Sequence, residues 1–282
     1  MDLIQLPQFP SVAASAKSTL VTDRLVDRTV LGLIFERGGT SFTAAHLAGI
    51  RARFNGKDVV NGLTGPQLTD LNEYDLLTTN AAYTVLFFGD PTARTVRGQY
   101  QGAIDFGYYR FPLELEIDIG AATAPTLAVY AITANPKREM GLGFDDLDAA
   151  RYRTFPRTVI QPAAAVTRKS YGLSLGSSAG PRIRRIAFFH TAITSVEYKK
   201  GGLTKHDNIS DALNSAFQTQ FARAPQSGLY MLDRVVDGNQ GEAELTVRDD
   251  GRPWTQEVNI TTSGADTITA FADVISTFDQ AA

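Results

Sequence analysis

Residues Arg110–Ala131 read RFPLELEIDIGAATAPTLAVYA, and residues Arg252–Ala272 read RPWTQEVNITTSGADTITAFA. At an ungapped offset of 141 residues, Pro112 meets Pro253, Glu116 meets Glu257, Ile119 meets Ile260, Thr126 meets Thr267 and Ala131 meets Ala272. Ile117/Val258, Asp118/Asn259, Leu127/Ile268 and Tyr130/Phe271 are near matches, so the chain carries an internal repeat. Each copy opens on a proline, alternates apolar and polar residues, passes a small-residue turn and closes on an apolar run. That pattern predicts an antiparallel hairpin in each half.

Working outward, the flanking segments repeat in the same order. Strands are expected at Thr19–Val26, Thr29–Glu36, Gly49–Phe54, Tyr83–Phe88, about Ala93–Ile104, Phe111–Ile119 and Thr126–Thr133. Asn55-Gly56, between Phe54 and Lys57, is a two-residue hairpin turn, because both of its positions tolerate positive φ. Thr64-Gly-Pro66 supplies an N-cap and a first-turn proline for a short helix with Leu68, Leu71 and Tyr74 on one face. In the second half, strands are expected at Phe155–Pro162, Lys169–Leu175, Ile183–His190, Ile193–Tyr198, Leu229–Val236, Glu242–Val247, Trp254–Thr261 and Thr267–Thr277, with a Gly/Ser turn at Gly176–Gly180. Lys199–Gly202 takes the place of the Asn-Gly turn, and a longer helix, about Asp207–Ala222, is predicted to face a core with Ile209, Leu213, Ala216, Phe217 and Phe221.

The fold class expected is therefore all-β: two tandem eight-stranded antiparallel jelly rolls, each with one inserted helix. Residues 1–18 read as an N-terminal arm with apolar Leu3, Ile4, Leu6 and Phe9, residues 19–134 as the first jelly roll, 135–153 as a linker and 154–282 as the second. At 282 residues the chain is long enough for two cores. With 43% hydrophobic and 20% charged residues it reads as globular, and a net charge of −3 implies no broad basic surface for nucleic acid. There is no cysteine, so no disulfide framework and no thiolate chemistry. No run approaches the roughly 20 apolar residues of a membrane-spanning helix, and the N-terminus lacks the basic segment of a signal peptide.

No catalytic, cofactor-binding or metal-ligating residues are expected. His46, His190 and His206 are far apart in sequence and lack ligand spacing. No Gly-x-Ser-x-Gly elbow occurs, and Gly176–Gly180 lacks the Gly-Lys-Ser/Thr ending of a phosphate loop. Asp145, Asp146 and Asp148 lack the alternation of a calcium loop and read as solvated linker acids. Glu114 and Glu116 alternate with Leu113, Leu115 and Ile117, as on the solvent side of a half-buried strand. In the doublets Phe87-Phe88, Tyr108-Tyr109 and Phe188-Phe189, one ring is expected in a core and the other under a helix or in an interface.

The segments Ile50–Lys57 (IRARFNGK), Leu63–Tyr74 (LTGPQLTDLNEY), Tyr83–Phe88 (YTVLFF) and Phe111–Ala131 together resemble the N-terminal half of the corticovirus-type major coat proteins, double jelly-roll capsid proteins of tailless icosahedral dsDNA phages with an internal membrane. The likeness covers about 110 residues, and the second half joins it as a diverged second barrel. The resemblance implies a homotrimeric capsomer of nearly hexagonal outline, with neighbouring capsomers and minor capsid proteins as partners. It also implies a place in the virion after assembly in the host bacterial cytoplasm, with no cofactor, no enzymatic site and no direct nucleic-acid contact. The apolar arm is expected to touch the internal membrane or a neighbouring trimer, so deleting residues 2–18 should spare trimers and block shell assembly. Two other functions suit tandem jelly rolls. A lectin or receptor-binding protein would need exposed aromatic residues, yet the single tryptophan, Trp254, takes the place of Leu113. A two-jelly-roll glycoamidase would need a carboxylate cluster between the barrels.

Overall fold

The computed structural model describes residues 1–173, 181–248 and 251–277. It divides into two compact units: residues 1–73 with 77–154, and residues 74–76 with 155–282. The Gly/Ser turn expected at Gly176–Gly180 lies outside the described residues.

The first unit contains β1 (Asp2–Gln5), β2 (Lys17–Thr22), β3 (Thr29–Gly38), β4 (Leu47–Phe54), β5 (Lys57–Leu63), β6 (Tyr83–Phe87), β7 (Ile104–Asp105), β8 (Leu113–Ile119) and β9 (Thr126–Ala134). One sheet runs β1-β9-β3-β6, with β7 also on β3, and the other runs β2-β8-β4-β5. Inward residues of the two sheets, among them Leu33, Phe35, Ile50, Val60, Leu115, Ile117 and Val129, are buried.

After β10 (Arg151–Thr154), the second unit contains β11 (Arg157–Ile160), β12 (Val166–Tyr171), β13 (Arg182–Phe189), β14 (Ile193–Lys200), β15 (Leu203–Ser210), β16 (Leu229–Asp233), β17 (Glu244–Leu245), β18 (Gln256–Thr262) and β19 (Ile268–Thr277). Its sheets run β11-β19-β13-β16, with β17 on β13, and β12-β18-β14-β15. Adding ten to each strand number of the first unit reproduces these pairings, including the short one. The duplication suggested by the 141-residue offset is thus a duplication of jelly-roll topology. Ile160, Ile186, Phe188, Val196, Tyr198, Val258, Ile260 and Ile268 belong to the second core.

The two-residue turn behaves as its sequence dictates: Phe54 pairs with Lys57, and Asn55 and Gly56 take φ of 49° and 69°. Gly201 and Gly202 do the same between Lys200 and Leu203, with φ of 59° and 80°. The terminal repeat does not form hairpins. β8 pairs with β2 and β4, whereas β9 pairs with β1 and β3, and β18 and β19 are likewise split between sheets. The connection Gly120–Pro125, with Ala122 buried, crosses from one sheet to the other. Alternation identifies the buried face of a strand, not its hydrogen-bonded neighbour.

Other expectations are corrected. Ala93–Ile104 is not a strand, because Thr95 accepts from the Gly98 amide and caps a helix, α2 (Val96–Gln101), leaving β7 only two residues. A helical turn, α3 (Phe106–Tyr109), follows. The earlier helix α1 (Gly65–Tyr74) forms as expected, with Thr64 and Gln67 exchanging capping bonds at 3.3 and 3.0 Å and Leu68 and Tyr74 buried. The arm is not free either: β1 is an edge strand on β9, and Leu6 and Phe9 are buried.

Residues 135–153, expected as a linker, pack within the first unit. Asp145 and Asp148 form a capping box on α4 (Asp146–Ala150), and Asp148 is buried in ion pairs with Arg97 and Arg151 rather than solvated.

The second inserted helix, α5 (Asp211–Gln220), is shorter than expected because residues 203–210 are β15. Its buried residues are Asn214 and Gln218, both donating to the Met231 carbonyl at 2.8 and 2.5 Å, while Leu213, Phe217 and Phe221 face outward. The polar face won because β16 is an edge strand whose outer carbonyl needs donors once covered.

Candidate functional site

The three histidines serve local structure. His46 Nδ1 accepts from the Thr43 amide at 3.1 Å, and His190 Nδ1 accepts from the Ile193 amide at 3.1 Å. His206 Nε2 lies 2.7 Å from the Tyr230 hydroxyl, and burial, aided by the Arg234 charge, pushes its pKa down to about 4. Among the described residues no three His, Cys, Asp or Glu side chains are grouped to hold a metal ion. Glu114 and Glu116 sit on the half-buried side of β8, and Glu116 accepts from Lys17 Nζ at 2.9 Å.

Trp254 is half-buried where Leu113 is fully buried. Its ring carries the Lys200 ammonium at 5.6 Å and the Arg248 guanidinium at 4.5 Å, and a Cβ on Gly201 would come within 2.6 Å of it. The indole is therefore a packing element of the β14–β15 turn, held by its own cations. In the aromatic doublets Phe88 and Phe188 are buried, and Phe189 packs edge-on against Phe271 with centroids 6.1 Å apart.

Buried ionisable groups are plentiful, and each is engaged in holding the fold. In the second unit Asp75 accepts from Arg185 and Arg223, both at 2.7 Å, while Asp233 lies 3.1 Å from Arg185. The Tyr74 hydroxyl donates to Asp233 at 3.0 Å, and burial, with Asp233 beside it, drives its pKa far above the ordinary phenol value. Beside Arg185 on β13, where the register shifts between Ile183 and Arg185, fully buried Arg184 pairs with Asp273 at 3.1 Å and donates to Gln240 at 2.7 Å. In the first unit fully buried Lys137 donates to the carbonyls of Gln101, Asp148 and Arg151 at 3.2, 3.0 and 2.8 Å. Burial lowers its pKa to about 7 against the opposing pull of Asp105 and Asp148. Enclosed on all sides, that amine cannot meet a substrate.

Sequence reasoning missed these clusters, though a signal was present. Arg184-Arg185 is an adjacent basic pair inside the apolar strand β13, and two guanidiniums buried there each require a carboxylate, which Asp273 supplies to Arg184 and Asp75 and Asp233 to Arg185.

Two jelly rolls of identical pairing order in one chain, with buried charges spent on structure, place the protein in the double jelly-roll class. The chain belongs to the viral coat protein P2 family: the model of the P2 N-terminal domain matches residues 3–135 and that of the C-terminal domain matches residues 153–278. The second half therefore carries the family's sequence signature as well as its architecture, and the protein is a structural coat subunit rather than an enzyme. The structure is similar to the major capsid protein P2 from bacteriophage PM2, with TM-score 0.82 and 16% identity over 99% of this chain and 98% of that one. It also resembles the STIV MCP, at TM-score 0.64 and 14% identity over 100% and 99% of the two chains. A chain in the atomic structure of Sulfolobus Turreted Icosahedral Virus aligns at TM-score 0.63 and 15% identity over 98% and 90%. No curated protein sequence matches the chain.

Proposed function

We propose that this coat protein is the major subunit of an icosahedral shell, that three copies form a capsomer of six-lobed outline, and that the shell encloses a membrane. The observation that carries the reading is the one-to-one correspondence of strand pairing between the two units. Two equivalent lobes per chain, taken three times by a threefold axis, approximate a hexagon that tiles a closed surface without a reactive pocket. The jelly rolls divide near residue 154, the host bacterial cytoplasm is the site of assembly, and neighbouring capsomers and minor capsid proteins are the partners.

A net charge of −3 suits a shell whose inner face meets lipid rather than genome. Of the arm's apolar residues, Leu6 and Phe9 are buried, leaving exposed Leu3 as the main apolar side chain there for a membrane or neighbour contact. Native mass spectrometry tests the reading. A dominant species of three chains supports it, and a monomer at all concentrations up to those of crowded assembly contradicts it.

A further inference from the structure

The two units differ at the strands that end their sheets, β5 and β6 in the first and β15 and β16 in the second. In the first unit Ile50 pairs with Ile117 and Leu63, and in the second Tyr198 pairs with Val258 and His206. Leu33 pairs with Ala131 and Leu86, and Ile186 pairs with Ala272 and Leu232. Because the repeat matches Ile117 to Val258 and Ala131 to Ala272, His206 stands where the first unit has Leu63, and Arg234 where it has Phe88. The backbone agrees: the Phe88 amide donates to the Leu31 carbonyl at 2.8 Å, and the Arg234 amide to the Arg184 carbonyl at 2.9 Å. Leu63 and Phe88 are fully buried. Their polar replacements border a cavity of about 240 Å³ that is also lined by Leu232, Val236 and Phe217.

The charges around this cavity do not cancel. Asp233 borders it but is taken by Arg185 at 3.1 Å and by the Tyr74 hydroxyl at 3.0 Å. Lys205 also lines it, and Glu244 is shared by three cations. That carboxylate accepts from Lys200 at 2.8 Å and from Arg234 at 3.0 Å, and against burial, which works to raise its pKa, these two and Lys205 hold it below the ordinary range. Arg234 Nε is buried and has no acceptor, and Lys205 makes no ion pair among the described residues. His206 is neutral. Its Nε2 hydrogen goes to the Tyr230 oxygen, because the Tyr230 hydroxyl gives its own to the Ile209 carbonyl at 3.0 Å, so the positive charge of the wall comes from Lys205 and Arg234.

A concave space with apolar walls and a few convergent polar groups is the ordinary form of a small-molecule site. A guanidinium donor kept from water without an acceptor favours a ligand oxygen that carries negative charge, since charge-assisted bonds are the stronger ones. Leu232, Val236 and Phe217 call for an apolar body, and a cavity of about 150 Å³ already accepts benzene. We propose that the cleft between β15 and β16 binds a small organic carboxylate, with Arg234 and Lys205 taking the carboxylate group and Leu232, Val236 and Phe217 the carbon body. In the first unit Leu63 and Phe88 occupy the equivalent positions.

Isothermal titration calorimetry of the intact protein with benzoate tests this, with benzyl alcohol as a similar body without the charge and inorganic phosphate as charge without the body. Saturable binding of benzoate at one site per chain, at least about 10-fold tighter than either control, is expected. Arg234→Met leaves Glu244 its bond from Lys200 and should weaken benzoate binding at least about 10-fold, with a circular dichroism melt verifying the fold. Should that variant fail to fold, Lys205→Gln, at an exposed position, gives a second readout and should weaken binding by about 2- to 5-fold. Absence of saturable benzoate binding, equally tight binding of either control, or unchanged affinity in a folded single variant would overturn the proposal.

Discussion

Asn72 and Asn214 perform the same task in the two units. Asn72 Nδ2 donates to the Val85 carbonyl on β6, and Asn214 Nδ2 donates to the Met231 carbonyl on β16, each at 2.8 Å. Both strands lie at the end of their sheet's pairing order, and the inserted helix covers each edge with an amide that takes the place of a neighbouring strand. The second unit adds Gln218 as another donor to the same carbonyl. Asn72→Ala is therefore expected to cost about 1–3 kcal/mol, the usual penalty for stranding a buried polar group. Asn214→Ala should cost less, since Gln218 keeps the carbonyl paired. Urea unfolding of the two variants checks the order, and an equal or reversed cost would contradict it.

The N-terminal arm is part of the first sheet. Leu6→Ala should destabilise by about 2–5 kcal/mol, the range for truncating a buried leucine. Removal of residues 2–9 strips β1 from β9 and is expected to lower the melting midpoint of the first unit, not to yield normal subunits that merely fail to assemble. Melting of the truncated protein at wild-type temperature would count against this placement.

The pH response should carry a His206 component. Its folded pKa of about 4 lies below the ordinary value of 6.5, so the unfolded chain binds the proton more tightly. Stability from this group is complete above about 6.5 and is lost as pH falls toward 4, by about 3 kcal/mol at most. His206→Gln, which retains a polar group near the Tyr230 hydroxyl, should flatten the unfolding free energy between pH 6.5 and 4 relative to the wild type.

Asp75 holds Arg185 and Arg223 together in a setting where all three side chains are nearly buried. Asp75→Ala removes one carboxylate from two guanidiniums and is expected to cost about 3–5 kcal/mol. Replacing the exposed Asp58, which pairs with Arg51 at 2.8 Å and Arg53 at 3.0 Å, should cost under about 1 kcal/mol. Parallel denaturation curves compare the two, and similar losses would refute the assigned difference in burial.

Local and periodic information made much of the fold legible. Asn55-Gly56 marked its hairpin because positive φ is written in those residue types, and the repeat around Pro112 and Pro253 revealed the duplication because both copies retain the same inward positions. Strand partnership was not legible, since β8 and β9 alternate as hairpin strands do yet belong to different sheets. The facing of α5 was misread for a related reason. An apolar stripe ordinarily points to the core, but here the Met231 carbonyl on β16 takes Asn214 and Gln218 as donors, and the aromatic stripe stays exposed. The buried carboxylate–arginine clusters were hidden because Asp75 and Arg185 are distant in sequence and meet only in the folded chain.

Electron microscopy of the purified protein most directly tests whether geometry is its working part. Class averages with threefold symmetry and six lobes, two from each chain, are the predicted result. Isolated two-lobed particles without threefold classes, at concentrations where the protein is abundant and folded, would contradict it.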